Sequence, residues 1–489
     1  MPSPLLVGVF LLLLIPLNRR AEFGGDEGFE FEKALLLTKH PESANLIWND
    51  QPWLFTLVAE AGFQMLGVSP VVSRLFSLIS FIALLFAIFR LGGGFPRLLQ
   101  GVVVSLFLLT AYRTVLLATS AMIEFPAIAW GLVSAVFSVD WDRPSRPLRL
   151  LLCGLLFGCA LQIKLTSLMV VPALVVLHCQ VHGVRNALRS LLWMLAGGAM
   201  AYAVIALLSP SFSLDSLLGS HIRASQSIPD ARQEDVRFHF RYFSDHAALL
   251  LAAGAGLMGM LRRRSADAVF ALVFLCCGTF IAAFHRPWWE YYVIHLTIPL
   301  SILAGIGVLG LFRQATAPEA SGGLNGQTYK SSPAAGILCA VVALAVVFTL
   351  PSFITTIQKQ RMVGRLDEDA VTLGVKEYAP RARWVYTRRP WQAFFAGGSL
   401  PPEIAVLPLK RFWTGAINEP AILNCVKAYR PEVVVLGKTL EKSDPDWTTW
   451  VSKGYVLVDS THDQELWVSE GLNPKKITHN HDAIKAFGL

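Results

Sequence analysis

Residues 22–55 read EFGGDEGFEFEKALLLTKHPESANLIWNDQPWLF. The stretch decides the fold because of what flanks it. Upstream lies an apolar run, Pro4 to Leu17, and downstream long apolar runs fill the sequence to about residue 351. Within it, Asp26 and Glu27 follow a glycine pair and precede the periodic FEFEKALLL. Two readings of that carboxylate pair stand side by side. Asp caps helices and Glu in a first turn complements the helix dipole. The same pair, just outside a first span and at the water interface, can also meet a lipid-borne phosphate and an acceptor hydroxyl.

Working outward, 54% of the residues are hydrophobic and 16% are charged, against about 25% charged in soluble domains. A span needs roughly 20 apolar residues. The runs predict spans near 2–18, 71–90, 98–112, 124–139, 148–163, 165–181, 190–208, 246–261, 266–284, 292–312 and 334–351. That makes about eleven transmembrane helices in a polytopic α-helical membrane protein. The first run has no basic n-region and no small-residue cleavage site, so it reads as an uncleaved span rather than a signal peptide.

Arginines mark the tight loops. Arg90 and Arg97, Arg143, Arg146 and Arg149, Arg185 and Arg189, and Arg262-Arg263-Arg264 all fall on the side of the N-terminus. The positive-inside rule makes that side cytoplasmic. The net charge of +8 is then a property of these loops, and no nucleic acid is expected as a partner. An odd number of spans sends the C-terminus outside, in a bacterial inner membrane as the expected location. The transmembrane domain is 1–351, with an outer-face loop at 19–70 whose segment 53–66 is amphipathic, too short to span, and suited to lie on the membrane.

Residues 352–489 form the second domain, a small extracytoplasmic α/β unit. RWVYT (383–387), EIAVLP (403–408), EVVVLG (432–437) and YVLVDS (455–460) read as strands, and 389–396, 418–429 and 446–453 as helices. No Gly-rich phosphate loop or nucleophile elbow is present. Six of the seven cysteines lie in apolar stretches, Cys425 being the exception. Neither a disulfide framework nor a zinc site is indicated, and THNH (478–481) reads as solvated terminus.

Further polar residues interrupt the apolar pattern. Glu124 sits in or at the mouth of a span, where a carboxylate is costly and usually functional. With Pro126 behind it, a first-turn role is equally open. Lys164 breaks an apolar stretch at a hairpin tip, where it can snorkel or hold a phosphate. HRPWWEYYVIH (285–295) carries an aromatic belt with Tyr292, while Arg286 and the deeper His295 can cradle a phosphate group. His221, Arg223, Arg237, His239 and Arg241 make the 219–245 loop cationic, suited to an anionic donor or to plain solvation.

The order of these signals resembles the GT-C superfamily of membrane glycosyltransferases, and within it the branch of dolichyl-phosphate-mannose protein mannosyltransferases and the lipid A aminoarabinose transferase. A short first span leads to Asp26-Glu27, a helix, the Pro-containing turn Gln51-Pro52-Trp53, and FQMLGVSPVVSR (63–74), with Gly67 before an Arg74-bearing span. SAMIEFPAIAWGLVSA (120–135), GLLFGCALQIKLTSLMVVPAL (154–174) and HRPWWEYYVIHLTIPLSILAGIG (285–307) follow in order. The sequence departs from the branch at DQPWLF (50–55) and in having Glu124 where many members have Asp.

The resemblance implies transfer of a sugar from a polyprenyl-phosphate donor, in the membrane lipid, to a hydroxyl acceptor on the outer face. It implies inversion at the anomeric carbon and no nucleotide sugar, and leaves a divalent metal open as cofactor. It assigns Asp26, Glu27 and Glu124 to catalysis, and Lys164, Arg286, Tyr292 and His295 to the donor phosphate and lipid. The rival reading is a transporter or flippase, but the ionisable residues gather in outer loops rather than at mid-membrane and no inverted repeat is evident. A noncatalytic binder of lipid-linked sugar would show binding without transfer.

Overall fold

The computed structural model describes residues 25–91, 96–141, 143, 145–211, 213, 215–227, 246–263, 265–285, 289–316, 333–363, 370–439, 441 and 444–472, together with positions 7, 11, 15, 17 and 18. Most of the expected first span, Arg286, Arg237, His239, Arg241 and the 478–481 segment lie outside the described residues.

The apolar runs fold as helices close to where hydropathy puts them. Pro70–Arg90 is representative. Ser69 caps it by accepting the Val71 amide at 3.3 Å, and Pro70 supplies a fixed φ at the first helical position. Pro70–Arg90, Leu165–Leu208, Ala266–Phe284 and Tyr291–Phe312 are long and apolar enough to cross a bilayer. A fifth span results if Leu99–Thr110 and Tyr112–Ala118, bent by 90°, count as one. The protein is an integral membrane protein, but the described residues do not contain eleven full-length spans. Glu124–Ser138 and Pro147–Ile163 have 15 and 17 residues, short of the roughly 20 that a straight span requires. The expected spans at 165–181 and 190–208 belong to one helical stretch. It is broken at Gly183, whose φ of 73° favours a residue without a Cβ.

Small residues bring helices into backbone contact. A Cβ on Gly154 would lie 2.1 Å from the Met194 carbonyl, and one on Gly197 would lie 2.2 Å from that of Leu151. Pro147–Ile163 therefore packs directly on the second half of the broken helix, Val170–Leu208. Gly256 and Gly307 do the same for Ala247–Arg263 and Ile294–Thr316. In a bilayer such close packing replaces the hydrophobic drive that holds soluble helices together.

Outside the bundle, Asp26–Lys39 packs against Leu54–Leu66. The latter buries Phe55, Ala59 and Phe63 and leaves Met65 and Leu66 80% and 70% exposed. The expected domain boundary at 351 falls inside a helix, since Pro333–Val363 continues through Pro351.

The C-terminal unit is built on a four-stranded sheet in the order β1-β2-β4-β3, with β1 Val385–Tyr386, β2 Val433–Gly437, β3 Tyr455–Ser460 and β4 Gln464–Ser469. β1 is parallel to β2, and the other pairings are antiparallel. The EIAVLP segment is not a strand. Pro402–Ile404 is a single 3-10 turn, and Pro401, Pro402 and Pro408 deny a ladder the amides it needs. The fourth strand is instead β4, which lies inside the sheet between β2 and β3 and is a segment absent from the sequence expectation.

One face of Asp26–Lys39 joins this unit. Phe31 stacks on Phe394 with ring centroids 4.6 Å apart, Lys39 Nζ donates to the Gly397 carbonyl at 2.6 Å, and the Leu400 amide donates to Glu32 at 3.4 Å.

Candidate active site

A cavity of about 530 Å³ opens where Asp26–Lys39 begins. Gly25 precedes that helix with a φ of 83°, a left-handed turn that glycine makes at no steric cost. The helix has no side-chain cap, so the expected capping role does not occupy Asp26. The Asp26 carboxylate lines the cavity and accepts a hydrogen bond from the Tyr291 hydroxyl. Burial and the nearby Glu124 push it up to about 6, while Lys164, Lys410 and the Tyr291 bond act in the opposite direction.

Glu27 points elsewhere. Its Oε1 accepts from Arg74 Nε at 2.8 Å and from the Ala121 amide at 2.6 Å, and its Oε2 accepts from Arg74 Nη2 at 3.1 Å. Both side chains are fully buried. Adjacent helical residues are rotated by about 100°, so the pair is split: Asp26 faces the cavity and Glu27 ties three segments of the bundle together.

Glu124 opens its own helix at the cavity wall and forms an ion pair with Lys164. Its second oxygen has no hydrogen-bond partner among the described residues. Lys164 ends the helix Pro147–Ile163 in an extended conformation and is only 5% exposed. Its ammonium lies 5.2 Å from the ring centroids of both Tyr291 and Tyr292, within cation–π range. Lys164 thus points inward, and snorkelling does not describe it.

Tyr292 lines the cavity, and its hydroxyl meets His285 Nε2 at 3.1 Å. His295 does not reach the cavity. It lies behind Tyr292, stacked at 5.9 Å, fully buried, with neither ring nitrogen hydrogen-bonded among the described residues. The donor-binding expectation for His295 is corrected accordingly: one helical turn carries it into the core.

The structure adds residues that the sequence did not single out. Asp50 is buried at the cavity edge, where His221 Nε2 approaches at 3.2 Å and Lys410 forms an ion pair with it. Glu30 and Lys33, one turn along from Asp26, pair at 2.7 Å. His221 and His285 are both pushed down to about 4, chiefly by burial, and are neutral at pH 7. Among the described residues no three His, Cys, Asp or Glu side chains are grouped to hold a metal. A buried ammonium beside a carboxylate that titrates near neutrality gives the cavity one group to hold an anion and another to take a proton.

The helical bundle, the carboxylate-bearing helix across one of its ends and the small α/β domain packed on that helix together make one recognisable fold. Two solved structures share it with this chain, both of ArnT from Cupriavidus metallidurans. The crystal structure bound to undecaprenyl phosphate matches at 14% identity with a TM-score of 0.62, over 95% of this chain and 97% of that one. The apo structure matches at 15% identity and 0.60, over 96% and 98%. No family model and no curated protein matches the sequence, so the likeness is one of fold.

Proposed function

We propose that this protein transfers a sugar from a polyprenyl-phosphate donor to a hydroxyl acceptor on the outer face of a membrane. The observation that carries the proposal is that Asp26 and Lys164 face one cavity at the mouth of a helical bundle. Its likeness in fold to a protein solved with undecaprenyl phosphate bound supports a donor of that class. The Arg-rich loops on the side of the N-terminus support an extracytoplasmic cavity and C-terminal domain.

In this reading the donor phosphate displaces Glu124 as the partner of Lys164, and Tyr292 lines its seat. The acceptor oxygen attacks the anomeric carbon while its proton passes to Asp26. The bond from that carbon to the phosphate oxygen breaks, and the electron pair leaves on the lipid phosphate. Lys164 compensates the charge that develops there. Attack opposite the leaving group inverts the anomeric centre. Tyr291 holds the Asp26 carboxylate through its hydroxyl.

The test is transfer by the purified protein from synthetic polyprenyl-phosphate sugars to hydroxyl acceptors. Asp26→Asn keeps the size of the side chain but cannot take the proton. It should lower turnover by about 100- to 10,000-fold with thermal melting unchanged. Near-normal turnover in a folded Asp26→Asn variant would remove the base from the mechanism.

A further inference from the structure

One wall of the cavity comes from the C-terminal domain, through Val406–Lys410. Lys410 is mostly buried, lies 5.6 Å from the Trp48 ring centroid, and is ion-paired with Asp50. Asp50 is itself buried and approached by His221, so the carboxylate fixes where the ammonium sits. We propose that Lys410 is a positioning residue for the transfer reaction, carried into the cavity by the C-terminal domain to keep the Asp26 carboxylate charged and able to accept a proton. The inference rests on the functional reading above and extends it to the domain outside the bundle.

The charges around Asp26 explain why a second ammonium is needed. From the bundle, Asp26 faces Glu124, Lys164, Tyr291, Tyr292 and His285; from the outer segments, Asp50 and His221; and from its own helix, Glu30 and Lys33. Lys33 is taken up by Glu30 at 2.7 Å and Asn49 at 3.0 Å. Lys164 is shared with Glu124 and would be engaged by the donor phosphate. A donor also brings its own negative charge, which further opposes ionisation of Asp26. Lys410, although paired with Asp50, lines the same cavity and adds its positive charge to that of Lys164 in offsetting it. Burial pushes Lys410 down to about 7, and the nearby Asp26 and Glu30 carboxylates work against that shift. Its charge is thus present over the range near 6 in which Asp26 titrates.

The experiment reads Asp26 directly. Full-length purified protein is treated with a carbodiimide, which modifies protonated carboxyls, across a pH series, and labelling of the Asp26 peptide is followed by mass spectrometry. Removing a cation raises a carboxylate's pKa, so Lys410→Gln should move the labelling midpoint up by about one pH unit. Lys410→Arg should leave it near the parent value. A purely structural Lys410 would change melting but not the midpoint. In transfer assays the same shift predicts a loss of about fivefold at pH 6 and almost none at pH 8. Lys410→Met, which keeps the stem against Trp48, serves if the Gln variant does not fold. A midpoint that stays fixed in a folded Lys410→Gln or Lys410→Met variant, while the parent protein transfers sugar normally, overturns this inference and leaves the function standing. A shifted midpoint in a protein that transfers nothing supports the coupling and overturns the function instead.

Discussion

The split of Asp26 from Glu27 makes a sharp prediction. Glu27 and Arg74 are both fully buried, and Glu27 also takes the Ala121 amide. Removing one partner of such a pair leaves an uncompensated charge and costs about 3–5 kcal/mol. Glu27→Gln keeps the shape and can still accept the Ala121 amide, so its cost falls at the lower end, about 3 kcal/mol. At roughly 2 °C per kcal/mol for a chain of this size, the melting point in detergent should drop by about 6 °C. Asp26→Asn, one residue away, should barely move it. The assay is thermal melting of both variants, paired with transfer rates measured well below either melting point. Under those conditions Glu27→Gln should retain most of its activity and Asp26→Asn almost none. A Glu27→Gln variant that melts with the parent and yet has lost transfer would refute the clamp and return Glu27 to the chemistry.

Glu32, on the same helix, is pushed up from an ordinary value of 4.5 to about 8 by burial, with one oxygen unpartnered among the described residues. The folded state therefore holds a proton that the unfolded state has released between those values, and stability falls as pH rises through that window. Glu32→Gln should melt higher than the parent at pH 8, with the gain shrinking toward pH 4.5; equal gains at both would contradict the burial argument. Gly154→Val should abolish a monodisperse folded protein in gel filtration, because the Met194 backbone cannot yield. Gly254→Ala, with open space around its Cβ position, should behave as the parent. A reporter fused after Leu489 that is active only in the cytoplasm should give no signal, and a signal would reverse the assigned topology.

Much of this was legible in the sequence. Hydropathy located the helices because apolar length is what a bilayer selects. It did not reveal that several fall short of a full crossing, but it did separate 165–181 from 190–208, and the break at Gly183 falls between them. The Asp26-Glu27 pair was found by its place after the first apolar run, but which member faces the cavity depends on helical rotation and on Arg74 arriving from another helix. Lys164 could equally have faced the headgroups; the Tyr291 and Tyr292 rings beneath it decide otherwise. His295 sits in an aromatic context that suggested a ligand, yet one turn along the helix puts it in the core. Lys410 carried no signal at all. It is an ordinary lysine in a domain of ordinary composition, and only tertiary packing brings it to Asp26.

The cavity's walls come from positions as far apart in the chain as Asp26 and Lys410. Chains are made and folded from the N-terminus onward. A nascent polypeptide can therefore have threaded every apolar helix into its bilayer and still lack one side of its reaction chamber. A prematurely terminated product ending before Val406 would keep the carboxylate and Lys164, but in a vestibule open to water on the missing side. Competence thus arrives only near the end of translation, when the last third of the chain closes over what the first thirty residues began.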